Sequence, residues 1–222
     1  MQQKNLTLFS LFIFIVFLTE NTQAQSRLKK MKISKLGAIY QIFSGDKNKS
    51  FGESNSPGYG GELSLDSGGE YFRYFVKAKI INSEGSQNFL DNMTEVRSNY
   101  KLTQIGGELG FSFYPVARKG SGLNLYMWGT GAVGYNLLDL KPVSSIIGTT
   151  VTPVTTYSKL KTRDQGYSYG AGGGIGFEIL FGRKSTISAV YGEAGFREQF
   201  AQLAGRTDFQ LNSVQFVLGV GF

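Results

Sequence analysis

The sequence of 222 residues contains neither cysteine nor histidine. The lack of cysteine excludes disulfides, thiolate metal sites and cysteine nucleophiles. The lack of histidine removes the usual general base at neutral pH and the commonest metal ligand, so no Ser-His or Asp-His catalytic unit can form. After Leu18, no apolar run approaches the length of a membrane-spanning helix. Because both cysteine and histidine are absent, we expect no cofactor and no metal site.

Glycine and aromatic residues are abundant instead. Thirty glycines and a 14% share of aromatic residues are present. Many of the glycines lie inside segments that alternate between apolar and polar positions, which predicts a strongly curved sheet. For an exported chain with a net charge of +7, anionic lipid or polysaccharide is the expected counter-charge, and no nucleic-acid partner is expected.

The start of the chain has the pattern of a secretory signal. Lys4 precedes an apolar stretch from Leu6 to Leu18, and small residues follow around Ala24. We expect residues 1–24 to be a cleaved signal peptide, 25–32 a short basic segment and 33–222 one domain. The alternative is an uncleaved N-terminal anchor, although 13 residues are short for a bilayer-spanning helix. No cysteine follows the stretch, which excludes a lipid-anchored lipoprotein.

The end of the chain alternates strictly. Counting back from the last residue, every second position is apolar, at Phe222, Val220, Leu218, Phe216 and Val214. A strand points alternate side chains to opposite faces, so this segment has one apolar face. An apolar strand at a chain terminus is favourable when it lies in a sheet whose outer face contacts lipid.

Seven earlier segments alternate in a similar way. They cover 33–43, 58–66, 71–81, 101–114, 123–137, 166–180 and 185–196, the last with an ambiguous facing. The connections run long, short, long, short, long, short, long, with the long ones at 44–57, 82–99, 138–163 and 197–208. Segment 138–163 fits a hairpin that prolongs its flanking strands, with Pro142 and Pro153 at unpaired edges. Long external loops and short periplasmic turns are typical of outer-membrane barrels. The sequence therefore predicts an all-β, eight-stranded antiparallel up-and-down transmembrane β-barrel with both termini periplasmic.

Over roughly 33–222 the chain resembles the small eight-stranded outer-membrane barrels of the OmpA and OmpX type. The terminal pattern of Phe222, Val220, Leu218 and Phe216 is similar to the signal that the outer-membrane assembly machinery recognises. The resemblance implies an outer-membrane location in a Gram-negative envelope, with outer-membrane lipid and lipopolysaccharide as surroundings. Nothing in the sequence requires an oligomer, and we expect a monomer.

Charged residues fall on the predicted inner face. These are Glu62, Asp66, Arg73, Lys77, Lys79, Glu108 and Glu178, accompanied by Gln104 and Gln215. The second strand is acidic inside and the third is basic, so their charges should pair. Because eight strands leave an interior just wide enough for side chains, we expect a packed polar core. The alternative function for the same residues is an ion gate or narrow pore.

Glycines and aromatic residues mark two further features. Gly170, Gly172, Gly174 and Gly176 leave a bare inner stripe, which Tyr126 and Trp128 of the neighbouring strand should cover; a cavity for a ligand tail is the alternative. Outward-facing aromatic residues should form two lipid-interface girdles. The external girdle is predicted from Tyr40, Tyr59, Tyr135, Tyr167 and Tyr169, and the periplasmic one from Phe72, Phe111, Phe113, Phe177 and Phe222.

Basic residues concentrate at the predicted periplasmic end. They are Arg27, Lys29, Lys30, Lys32, Lys35, Arg118, Lys119, Arg183 and Lys184. They either hold anionic inner-leaflet lipid or cell-wall polymer, or form an ordinary solvated rim.

These features favour a non-enzymatic surface protein. The barrel would hold external loops for adhesion to lipopolysaccharide, a host or prey surface or another protein, or for envelope integrity. The alternative is an enzyme that modifies lipid A or proteins. It is disfavoured because the barrel enzymes of this architecture rely on a catalytic histidine. A diffusion pore conflicts with the strand count.

Overall fold

The computed structural model describes residues 33–43, 57–91, 94–147, 150–153, 163–181, 187–203 and 206–222. The predicted signal peptide, the basic segment 25–32 and residues 44–56 of the first predicted loop lie outside these ranges. The strands of the described chain are β1 Ile33–Phe43, β2 Pro57–Gly68, β3 Phe72–Asp91, β4 Thr94–Phe113, β5 Gly122–Ile147, β6 Thr150–Pro153, β7 Arg163–Leu180, β8 Ala189–Leu203, β9 Arg206–Gln210 and β10 Ser213–Gly221. No helix within the described ranges is long and apolar enough to cross a membrane.

Eight of the strands close into an antiparallel barrel, each paired with its neighbour along the chain. At the seam β10 pairs with β1 on one side and β8 on the other, which removes the sheet edges. The short strands β6 and β9 extend this sheet by pairing with β5 and β8. The predicted fold is therefore confirmed.

The pairing registers define the barrel geometry. A circuit perpendicular to the strands that begins at Phe72 returns to β3 at Asn82, ten residues further along. The intermediate positions are Phe113, Met127, Ile175, Ala194, Phe216, Tyr40 and Tyr59. With a strand rise of about 3.4 Å and a strand spacing of about 4.8 Å, this stagger gives a tilt of about 41° and a backbone radius of about 8 Å. Side chains from opposite walls therefore meet near the axis.

Side-chain burial alternates with strand parity, with the apolar residues outside. On β2, Leu63 and Leu65 are 63% and 65% exposed, whereas Glu62 and Asp66 are 2% and 3% exposed. On β3 the outward apolar run from Phe72 to Ile80 spans about 27 Å along the strand, or about 20 Å across a membrane at this tilt. That height is close to the apolar band of outer-membrane barrels.

Two segments predicted as loops are instead hairpins. Residues 82–99 continue β3 and β4, with an unbroken ladder from Asn82 and Thr103 to Asp91 and Thr94. Likewise β8 continues to Leu203 and pairs with β9 where a loop was predicted over 197–208. The prediction was wrong because the strands leave the lipid here. Their outward positions become polar, and this resembles loop composition.

The connection predicted over 138–163 is a hairpin in part. β5 runs on to Ile147 and pairs with β6 through Ser144 and Pro153. Pro142 lies opposite Ser98 at a register shift, between the end of the β7 ladder at Asp139 and the start of the β6 ladder. β3, β4, β5 and β6 thus project beyond the described ends of β1 and β2. We call residues 84–91, 94–101, 139–147 and 150–153 the external wall.

Candidate functional site

The barrel interior carries a dense set of charges. All seven predicted residues, Glu62, Asp66, Arg73, Lys77, Lys79, Glu108 and Glu178, point into it, and each side chain is almost fully buried. The structure adds four charged residues that the prediction did not place there, namely Lys35, Arg118, Glu193 and Arg197. Alternating signs let these side chains neutralise one another inside the barrel.

The periplasmic third of the interior is centred on Lys35. Its Nζ lies 3.0 Å from Asp66 Oδ2 and 3.7 Å from Glu178 Oε2. Arg73 Nε donates to Asp66 Oδ1 at 2.9 Å, and Arg118 donates to both oxygens of Glu178. The two acids are thus joined through one shared lysine.

The middle third is centred on Lys77. Its Nζ donates to Glu62 at 3.2 Å and to Glu193 at 2.5 Å. Each acid also accepts a phenol hydrogen, from Tyr191 at 3.2 Å and from Tyr126 at 3.0 Å. Charge-assisted bonds of this kind are the strong ones in a dry interior.

The outer third holds Glu108 between two cations. Arg197 donates to it bidentately at 2.6 and 2.7 Å, and Lys79 contacts it as well. An amide chain follows, in which Gln215 donates to Gln41 at 2.6 Å and Gln41 donates to Gln104 at 2.8 Å. The charges predicted to pair between the second and third strands do so diagonally: Glu62 pairs with Lys77, and Asp66 pairs with Arg73. Lys79 instead contacts Glu108 on β4.

Aromatic rings cover some of the inner glycines, and one of these glycines lies outside the predicted stripe. A Cβ at Gly176 would overlap the Tyr126 ring, as the sequence predicts. Trp128 reaches past Gly174 to β8, where a Cβ at Gly195 would overlap it. The Arg197 guanidinium lies 4.8 Å from the Trp128 ring centroid. Of the four predicted glycines, Gly176 is the one with a ring against its Cβ position. A Cβ at Gly172 would meet the Arg197 side chain, and one at Gly170 or Gly174 would meet the backbone of β8.

The turn between β4 and β5 closes the periplasmic end. Its backbone is held by Tyr114 N–H donating to Tyr71 O at 2.8 Å and Arg118 N–H donating to Glu70 O at 2.9 Å. The turn carries Tyr114 and Arg118 under the lumen, where both are buried. Burial and the charge of Glu178 raise the pKa of Tyr114. Burial lowers the pKa of Arg118, but the hydrogen bond and charge of Glu178 outweigh it and raise this pKa.

This arrangement corrects the predicted basic rim. Lys35 and Arg118 are 6% and 5% exposed and pair with internal acids, so they contact neither lipid nor polymer. Lys35 alternates inward along β1, and the Arg118 turn folds back under the lumen. Lys119 is exposed, and the remaining predicted rim residues lie outside the described ranges.

An apolar cluster closes the external end, where a polar lumen was expected. We call it the cap; its members are Phe43, Tyr100, Leu102, Leu138, Leu140, Ala201, Leu203, Phe209 and Leu211. On β4 the polarity of the two faces inverts, from Gln104 inside and Ile105 outside to Leu102 inside and Lys101 outside. Such an inversion is expected where water replaces lipid around a barrel, because a water-exposed barrel segment needs an apolar interior.

A small polar cavity lies beneath the cap. Its volume is about 20 Å³, and its lining includes Lys79, Gln104, Asn136, Gln199 and Gln215. This volume holds about one water molecule. The β4–β5 turn, the charge network and the cap together fill most of the described interior.

Aromatic rings lie on the outer face near both ends. Tyr40 lies 5.4 Å from Tyr59, and Tyr135 lies 5.3 Å from Tyr167, as ring centroid distances. At the other end Phe72 lies 5.0 Å from Phe113. These are the positions predicted for the two girdles.

The terminal strand is held along its length. Leu218 and Phe216 point outward, with 63% and 45% exposure, and Val220 pairs with Leu36. The backbone N–H of Phe222 donates to Ser34 O at 2.8 Å. The last residue is thus fixed at the seam, with its ring outside.

The external wall and the first residue of β7 together carry a row of alternating charges on the outer face. Glu84, Lys101, Asp139 and Arg163 are consecutive partners in register across four strands. Lys101 Nζ lies 3.0 Å from Glu84 Oε1, and Arg163 Nε lies 3.0 Å from Asp139 Oδ1. A cavity of about 810 Å³ is lined by these residues with Asn99, Tyr100, Leu140 and Lys141.

Strand number, closure and the apolar outer band give the chain the architecture of the small eight-stranded outer-membrane barrels. Crystal structures similar to it include Neisserial surface protein A, with 14% identity over 86% of this chain and 94% of that one and a TM-score of 0.40. The attachment invasion locus protein Ail of Yersinia pestis has 11% identity over 86% and 95%, with a TM-score of 0.39. The N-terminal barrel domain of Pseudomonas aeruginosa OprF has 14% identity over 86% and 97%, with a TM-score of 0.35.

No protein-family model and no curated protein sequence matches the chain. Identities and TM-scores this low describe a general likeness of the barrels and say nothing about what this chain binds.

Proposed function

We propose that this protein is a non-enzymatic outer-membrane barrel that holds the external wall at the cell surface for contact with other molecules. The observation that carries the proposal is the filled interior beneath a projecting wall. A barrel of about 8 Å backbone radius that is packed with paired charges and sealed by an apolar cap does not serve transport. Its outward-projecting strands remain as the surface on which function depends.

The interior charges support a structural role over catalysis. Lys77 holds Glu62 and Glu193, while Glu108 has two cationic partners. An acid pair that works without histidine would need a carboxyl group free to exchange protons with substrate. We infer that these charges specify and rigidify the barrel.

The partners follow from the same arrangement. Outer-membrane lipid and lipopolysaccharide surround the apolar band, and a surface ligand contacts the external wall. The assembly machinery reads the terminal strand through the residues of its apolar face, Phe222, Val220, Leu218 and Phe216. The protein acts as a monomer in this proposal.

The wall is tested by deleting residues 143–162. This deletion starts beyond Leu138 and Leu140 and therefore spares the cap. Cells that express the variant should lose adhesion to cultured eukaryotic cells, while the barrel keeps its heat-dependent gel shift. The Lys119→Gln variant, changed at the opposite end, should adhere like the wild type. Unchanged adhesion after the deletion contradicts a role for the wall.

Two measurements separate the alternatives. In planar bilayers the protein should show no large stable openings, and such openings would support a pore. Mass analysis of lipid A from cells with and without the protein should give the same acyl pattern. A reproducible acyl change would support an enzyme.

A further inference from the structure

The charged row on the external wall lies directly above the external tyrosine girdle. Ile80, Ile105, Tyr135 and Tyr167 form one outward row in register. Four residues further up each strand, the outward row is Glu84, Lys101, Asp139 and Arg163. At the barrel tilt this spacing raises each charged residue about 10 Å above the lower residue of its own strand. In the proposed membrane placement, this level faces the headgroups and sugars of the outer leaflet.

The charges in this row are accessible and weakly held. The side chains of Lys101 and Glu84 are 58% and 67% exposed, and those of Arg163 and Asp139 are 88% and 49% exposed. Exposed pairs of this kind contribute only about 0.2–1 kcal/mol. An anion that binds the cations more tightly can therefore displace Glu84 from Lys101 or Asp139 from Arg163.

The described lining of the cavity has more cationic than anionic groups. Its lining contributes Lys101, Lys141 and Arg163 against Glu84 and Asp139. Within the described part of the chain, Lys141 has no acidic partner. Arginine and lysine are the usual ligands of phosphate, arginine as a planar fork and lysine as a point charge.

We propose that this cavity binds the phosphate groups of an outer-leaflet glycolipid. The inference rests on the proposed outer-membrane placement and adds to it a site on the outer face. The outward-facing position at headgroup depth favours a membrane lipid over a soluble glycan. Its volume of about 810 Å³ admits a phosphorylated sugar headgroup.

Direct binding tests the site with the folded chain in phosphatidylcholine nanodiscs that contain diphosphoryl lipid A. The readout is the increase in the apparent unfolding temperature as the lipid A fraction rises. The double variant Lys141→Gln with Arg163→Gln should need at least tenfold more lipid A for the same increase. A heat-dependent gel shift verifies that the variant barrel is folded.

Matched variants separate a local site from net charge. Lys141→Gln should weaken the response, while Lys119→Gln, which removes the same charge at the periplasmic end, should not. Glu84→Gln should strengthen it because Lys101 loses its competing carboxylate. Glu70→Gln, the same change at the periplasmic turn, should have no effect.

Three outcomes would overturn the site. One is an equal response of the Lys141 and Lys119 variants, which would mean that only net charge matters. Another is a wild-type response in all of the variants of Glu84, Lys141 and Arg163. The third is equally tight binding of soluble glucosamine 6-phosphate, which would make the ligand a free phosphosugar. A barrel that is missing from the outer-membrane fraction would instead reject the proposed function.

Discussion

Removal of one lysine from the middle of the lumen should destabilise the whole barrel. Lys77 is 2% exposed and bonds to both Glu62 and Glu193. The Lys77→Met variant keeps most of the volume but leaves two buried carboxylates with only phenol hydrogens as strong partners. Breaking a buried ion pair from one side costs about 3–5 kcal/mol. We expect a loss of this size in the free energy of unfolding.

The measurement is a urea titration of the folded protein in phosphatidylcholine vesicles. The folded fraction is followed by the gel shift, and the free energy by linear extrapolation. Lys101→Met is the matched control, because Lys101 also forms a 3.0 Å ion pair but is 58% exposed. Its expected cost is below about 1 kcal/mol.

A rescue separates charge from packing. Adding Glu62→Gln and Glu193→Gln to Lys77→Met removes the uncompensated charges and should restore most of the lost stability. The reasoning is refuted if Lys77→Met costs no more than Lys101→Met, or if the triple variant stays as unstable as the single one.

Three further changes test other parts of the barrel. Gly176→Leu should destabilise the barrel by roughly 2 kcal/mol or more in a urea titration, because the new side chain overlaps the Tyr126 ring. The control is Gly131→Leu, which should be tolerated because Gly131 faces outward with nothing within 4 Å of its Cβ position. Equal losses of stability in the two variants would contradict this reasoning. Leu138→Ala should cost about 2–5 kcal/mol through a cavity in the cap without creating conductance in planar bilayers; stable openings would assign the seal to this one side chain. Deletion of Phe222 should lower the outer-membrane fraction in cells while purified protein still folds in detergent; an unchanged fraction would reject the terminal assembly signal.

The sequence predicts the barrel well where lipid faces the strand. On β2 and β3 the parity alone assigns Glu62 and Arg73 to the interior, because a membrane requires the apolar residues outside. The facing of β8 was harder to predict from the sequence, because its outward residues Gly192 and Ala194 are small while Tyr191 points inward. The facing of β8 could have been predicted from two charged residues on one of its faces. These are Glu193 and Arg197, which lie four residues apart.

Residues near the turns were misplaced for a different reason. Position along the chain puts Lys35 and Arg118 at the periplasmic end, and an exposed rim is the ordinary expectation there. Only the backward fold of the β4–β5 turn, fixed through Tyr71 and Glu70, brings Arg118 into the lumen. Such a long-range contact leaves no periodic trace in the sequence.

The external hairpins show why a single polarity rule is insufficient for this chain. Alternation continues through β4 without a change of phase, but the medium outside changes from lipid to water. Below the switch, burial of charge is enforced by a membrane that excludes it; above the switch, burial of Leu102 and Tyr100 is driven by water. The two layers therefore depend on different surroundings. Loss of the cap should weaken the external wall while leaving the charge network intact, because lipid continues to enclose that network whatever happens above it.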